Sequence, residues 1–207
     1  MSTAADPPDG LSNQQRRTRA ALVAAARELV GSGVTPTVEE AAQRAAVSRT
    51  TAYRYFPNRT ALLVSAHPEV GATSLLGEGP PTDSADRLEV VVKRFVELVL
   101  ETETQQRTML RVSLEPESHS RPALPLRQGR AIGWFGEALE PLRDQLTEAE
   151  LRRLAVAIRS AVGIEALVWL RDIAGLSADE AAELMRWSAK ALLHAALTTG
   201  PPPVDPG

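Results

Sequence analysis

Residues 37–63 read TVEEAAQRAAVSRTTAYRYFPNRTALL, and the fold turns on this stretch. Thr37 followed by Glu40 is a capping box, in which each side chain satisfies an orphan amide at a helix start. It opens a helix over about Val38 to Ala45. A tight turn at Ala46 and Val47 follows, and Ser48 can cap a second short helix ending near Phe56. Pro57-Asn58 breaks that helix, and Asn58 can cap another through Leu62 and Leu63. Two short helices joined by a turn of about three to four residues have the size of a helix-turn-helix. Ala52 and Phe56 are one helical turn apart and face inward with Val47, which leaves Arg49, Thr50, Tyr53 and Arg54 facing outward. Arginine pairs bidentately with guanine, threonine meets a thymine methyl or a phosphate, and a tyrosine hydroxyl bonds phosphate.

Working outward, the same grammar marks the other helices. Capping boxes stand at Ser12/Gln15, Thr147/Glu150 and Ser177/Glu180. The first predicts a helix to about Val30 with Leu22, Ala25, Ala26 and Leu29 on one face, and Gly31 and Gly33 as its C-cap. Residues 77–83 read as a loop, followed by a helical stripe of Leu88, Val91, Val92, Phe95, Val96 and Val99. A shorter helix is predicted around Arg107 to Leu114, then a proline-rich loop over 115–125. A long helix is predicted from about Leu126 to Leu146, bent or broken near Pro141. The last two helices are expected over about 148–171 and 178–198. Aromatics make up only 4% of the chain, so the core rests on Ala, Leu and Val, and strand formers are scarce. The expected class is all-α.

Charge is distributed unevenly. The net charge of −3 looks wrong for a partner of a polyanion, but residues 11–67 carry eight arginines against three acids. Residues 68–207 carry 15 basic against 21 acidic residues. One end can approach a polyanion while the other is repelled by it. Several function classes drop out. With no cysteine there is no disulfide, thiolate nucleophile or thiolate metal site. The three histidines, His67, His119 and His194, lack metal-ligand spacing. There is no P-loop or nucleophile elbow, and the Gly129, Gly133, Gly136 series has the wrong spacing for a dinucleotide fingerprint. No metal or cofactor is therefore expected, and no enzyme. No apolar run approaches a membrane span, and Met1 to Gly10 lacks the apolar stretch of a signal peptide, so the cytoplasm is the default location.

The 37–63 stretch resembles the DNA-binding signature of the TetR family, which has a threonine opening helix two, an alanine-rich turn and then a YRYFP run. The matches are Thr37, Ala42, Ala45, Val47, Ser48, Tyr53, Tyr55, Phe56, Pro57 and Leu62. The chain departs at Ala46, where the family usually has glycine, at Ala52, often leucine, and at Arg59, usually lysine. Arg59 keeps a positive charge at a helix N-terminus. The resemblance implies that Thr37, Tyr53, Tyr55 and Arg59 contact phosphates and that Arg49, Thr50 and Arg54 approach base edges. Ser48 and Thr51 complete the DNA-binding segment. Arg16, Arg17 and Arg19 would add electrostatic contacts, and Tyr55 is either phosphate-facing or part of the core.

The resemblance also implies an architecture and partners. An N-terminal three-helix DNA-binding domain would span 12–67, including the start of a fourth, linking helix. A larger helical effector-binding and dimerisation domain would span 68–200, between disordered tails at 1–11 and 201–207. The partners implied are double-stranded operator DNA, a small-molecule effector and a second copy joined through the last two helices. The final helix supports the last point, being apolar on more than one face. Weak candidates for an effector pocket are Phe95, Met109, Trp134, Glu165 and Trp169. Glu165 falls on the apolar stripe of the penultimate helix, and is either a buried ion pair or a polar contact in a cavity. Two rival readings remain: a helical enzyme or partner-binding protein with a vestigial DNA-binding head, and a DNA binder with no effector.

Overall fold

The computed structural model describes residues 12–67, 73–114 and 130–201. The predicted 115–125 loop with His119, the start of the predicted 126–146 helix and both tails up to 11 and from 202 lie outside them. No strand occurs among the described residues. The helices are α1 (Asn13–Gly31), α2 (Val38–Arg44), α3 (Arg49–Tyr55), α4 (Arg59–Ala66), α5 (Ser84–Glu101), α6 (Glu103–Ser113), α7 (Arg130–Ala138), α8 (Glu148–Ala161), α9 (Ile164–Val168) and α10 (Ala178–Thr199).

The starts of these helices follow from local chemistry. All four expected capping boxes are formed, at Ser12, Thr37, Thr147 and Ser177, each with both reciprocal hydrogen bonds. Ser48 caps α3 and Asn58 caps α4, accepting from the amides of Thr51 and Ala61. Asp83 does the same for α5, bonding the amides of Ala85 and Asp86. Each cap of this kind is worth about 0.5–2 kcal/mol. Past the end of α1, Gly33 turns at φ +84 and its amide reaches the Val30 carbonyl at 2.9 Å.

Two apolar cores share the helices. In the head, Leu22, Val23 and Ala26 of α1 meet Val38, Ala41 and Ala42 of α2, Ala52 and Phe56 of the α3 end, and Leu62 and Ala66 of α4. In the body, α5, α7, α8, α9 and α10 bury one continuous cluster around Phe95, Phe135, Ile158 and Met185. A small third cluster of Val30, Leu63, Met109 and Val112 joins α1 and α4 of the head to α6 of the body.

Two predicted long helices are shorter than periodicity suggests. The described part of the helix expected to reach Leu146 ends at Ala138, followed by a 3₁₀ turn over Glu140–Leu142. Pro141 has no N–H, and in a continued helix its ring would clash with the carbonyl of Glu137. That carbonyl instead accepts from the Arg87 guanidinium at 2.8 Å. The helix expected over 148–171 is cut at Val162 and Gly163, and Gly163 sits at φ +125. Arg159 holds the break. Its guanidinium donates to the Val162 carbonyl at 2.9 Å and to the Glu165 carboxylate at 3.0 Å. It also lies where a Cβ on residue 163 would stand, 2.5 Å from that position. After α9 the chain makes a π-helical turn over Trp169–Ile173.

Candidate nucleic-acid interface

The geometry of α2, the turn and α3 decides which side chains are free to meet another molecule. Ala46 takes φ +54, the left-handed region, and is the one non-glycine residue to do so among those described. This turn lets the Val47 amide bond the Ala42 carbonyl at 2.9 Å, folding α3 back across α2. Ala52 and Phe56 then drop into the head core, and Val47 packs at its edge.

The outward face carries the residues that sequence spacing placed there. Arg49, Thr50, Tyr53 and Arg54 are exposed, as is Thr37 at the start of α2. Arg59, at the start of α4, is half-buried. Tyr55 is half-buried and packs against the head core. Ser48 and Thr51 are tied to each other: the Ser48 hydroxyl donates to Thr51 Oγ1 at 2.8 Å and accepts from its amide. Their visible work is to start α3. Arg19 stacks over the Phe56 ring, 5.3 Å from its centroid, and donates to Ser65 at 3.0 Å. It braces α1 against α3 and α4 rather than reaching outward.

Sequence reasoning missed Glu39. Its carboxylate accepts from the Tyr53 hydroxyl at 2.7 Å and pairs with the Arg49 guanidinium at 3.0 Å. The Tyr53 hydrogen bond, with the Arg49 charge beside it, holds the Glu39 pKa below the usual carboxylate range. The same hydrogen bond raises that of Tyr53. Arg49 also lies over the Tyr53 ring at 5.7 Å. These contacts bridge α2 and α3 across 10 and 14 residues. Only the tight turn brings them together, and helix periodicity carries no signal for them.

The arrangement suits a double helix. A short helix with an exposed, arginine-bearing face, set on a second helix by a tight turn, presents donors to base edges and phosphates. Residues 21–66, from the middle of α1 to the end of α4, match the tetR family of bacterial regulatory proteins. The head is a TetR-family DNA-binding domain. The chain is accordingly a DNA-binding transcriptional regulator. The fold agrees along most of its length. A TetR transcriptional regulator from Rhodococcus sp. RHA1 superposes with a TM-score of 0.60 at 21% identity, over 88% of this chain and 98% of that one. A SmeT–triclosan complex superposes with a TM-score of 0.54 at 20% identity, over 91% and 99%. No curated protein matches the chain.

Of the effector candidates, Phe95 and Trp134 are brought together and Glu165 is linked to them through Arg159, which lies over the Phe95 ring at 5.5 Å, whereas Met109 and Trp169 lie apart. Phe95 and Trp134 are buried edge to face at 6.0 Å, with Phe135 against the same Phe95 ring at 5.5 Å. That is a packed aromatic core. Met109 belongs to the joint between head and body. Trp169 is 59% exposed on the π-helical turn, so it lines no interior pocket. The break at Gly163 takes Glu165 off the stripe of α8 and puts it in the first turn of α9. There it pairs with Arg159 and complements the helix dipole. An open groove of about 440 Å³ lies elsewhere, between Gly31 and the α5–α6 turn with Thr102, Gln105 and Arg107. Another polar group without a signal in helix periodicity is Gln106 on α6. It is 3% exposed, and its Nε2 has no hydrogen-bond partner.

Proposed function

We propose that the chain is a homodimeric repressor that leaves a palindromic operator when a small molecule binds its helical body. The exposed face of α3, with Arg49, Thr50, Tyr53 and Arg54 on a TetR-type head, is the observation that carries this reading. Arg49, Thr50 and Arg54 would face bases, while Thr37, Tyr53, Tyr55 and Arg59 would hold phosphates. Ser48 and Thr51 would set the helix. Residues 12–67 would act as the DNA-binding unit and 68–200 as the sensing and dimerising unit. No described helix is long and apolar enough to cross a membrane.

Two features support the remaining parts. The sequence holds three tryptophans, and two of them, Trp169 and Trp187, are 59% and 65% exposed in the lone chain. Ile173 and Leu184 are exposed beside them on the same two elements, the π-helical turn and α10. Apolar surface of that kind asks for a partner, and a second copy supplies one with the same face. For the effector, the unpaired Gln106 amide is a buried donor, costly unless something accepts from it. It supports a ligand with an oxygen acceptor, as the SmeT–triclosan complex supports small-molecule binding by this fold. Footprinting on DNA upstream of the protein's own gene tests the core of the proposal. A protected inverted repeat, with half-sites about one helical turn or more apart, is the expected result. Protection without sequence preference would refute it.

A further inference from the structure

The three carboxylates of residues 11–67 have different employments. Glu28 pairs with Arg44 at 2.8 Å. Glu40 is consumed by the capping box, accepting from the Thr37 amide and hydroxyl. Glu39 alone is turned onto α3, on the face that meets DNA, where it engages Arg49 and Tyr53. It stands in the first turn of α2, where the helix dipole favours its charge. The Tyr53 hydrogen bond, first among the causes, holds its pKa below the usual carboxylate range.

A carboxylate in that place resembles the phosphate those donors would otherwise find. On random DNA, Arg49 would exchange one anion for another, and Glu39 would be left facing the backbone uncompensated. A correct base pair offers Arg49 a bidentate acceptor instead, which a single carboxylate oxygen does not match. We propose that Glu39 is a specificity guard: it occupies Arg49 until an operator base takes that guanidinium over, with Tyr53 then released to a phosphate, and so weakens binding to non-operator DNA. The proposal rests on the DNA-binding reading of the head and adds to it a residue that lowers affinity in order to raise discrimination.

The test is fluorescence anisotropy of the full-length protein on a labelled random duplex and on the footprinted operator, across a salt series. The variants are Glu39→Gln, which removes the charge at nearly constant shape, and Glu28→Gln as the charge control. Glu39→Gln is expected to bind random DNA about three- to tenfold tighter and to gain much less on the operator. Its salt slope on random DNA should steepen by about 0.9, the signature of one more phosphate neutralised. Glu28→Gln should match wild type on both duplexes. Unchanged random binding, equal gains on both duplexes, or the same gain in Glu28→Gln would each overturn the guard. Weaker operator binding by Glu39→Gln would also overturn it, by making Glu39 a base-reading contact. A wild-type protein with no preference for the operator would instead refute the DNA-binding reading. Thermal melts, with Glu39→Ala as a second variant, check that the head stays folded.

Discussion

Ala46 shows how one residue can be at odds with the turn it makes. Its φ of +54 costs an alanine about 1–2 kcal/mol, whereas glycine visits the same region freely. Ala46→Gly should therefore stabilise the protein by up to about 1 kcal/mol, seen as a rise of a few degrees in thermal midpoint. Such a gain is the reverse of the usual effect of a new glycine. A second prediction concerns His67 at the end of α4. Burial, aided by the charges of Arg130, Arg159 and Arg27, pulls its pKa down from 6.5 to about 4. The folded state thus binds this proton less readily than the unfolded chain does. The stability contributed by the neutral imidazole is full above pH 6.5 and is lost as pH falls towards 4. The loss is about 3 kcal/mol in all. Denaturant melts from pH 7 to 4 should show that slope, and His67→Phe should flatten it. A wild-type slope that survives the substitution would place the effect on other groups.

The elements divide by whether their causes are local. The four capping boxes, the Asn58 and Ser48 caps and the inward pair Ala52 and Phe56 were readable because each needs only neighbours within one or two helical turns. The break in the penultimate helix was not. Leu151, Leu154, Ala155 and Ile158 keep helical spacing, and that spacing runs on in sequence past Val162. What stops the helix is Gly163 at φ +125 together with the Arg159 guanidinium that satisfies the Val162 carbonyl. The same break accounts for Glu165. On an unbroken helix it would lie among apolar side chains, whereas on the separate α9 it meets Arg159. Glu39 was illegible for a related reason, since its partners lie a turn and a helix away.

At the scale of the whole molecule, the question is what covers α10. One side of it, through Ala181, Met185, Ala189, Leu193 and Ala196, is sealed into the body. On the other side Trp187 stands 65% exposed, and Trp169 and Ile173 are exposed on the π-helical turn that packs against α10. Periodicity showed that this helix is apolar on more than one face, but could not say which face its own chain would bury. If a second copy covers this surface, Trp187→Arg should shift the protein from dimer to monomer in sedimentation. It should lose tight operator binding with that shift, while the fold persists because the side chain is largely outside the core. A variant that remains dimeric would put the interface elsewhere. Head and body meet through Val30, Leu63, Met109 and Val112, so packed side chains join the body to α4.

On the proposed function, α3 reads base sequence and does not merely attract a polyanion. The measurement closest to it compares wild type with Arg49→Ala on the footprinted operator and on a scrambled duplex of equal length, at one salt concentration. Wild type should prefer the operator by about a thousandfold or more. Arg49→Ala should lose ~1–3 kcal/mol on the operator, relax preference at one base position and change little on the scrambled duplex. Equal losses on both duplexes would contradict it, and would make α3 a basic surface without a code.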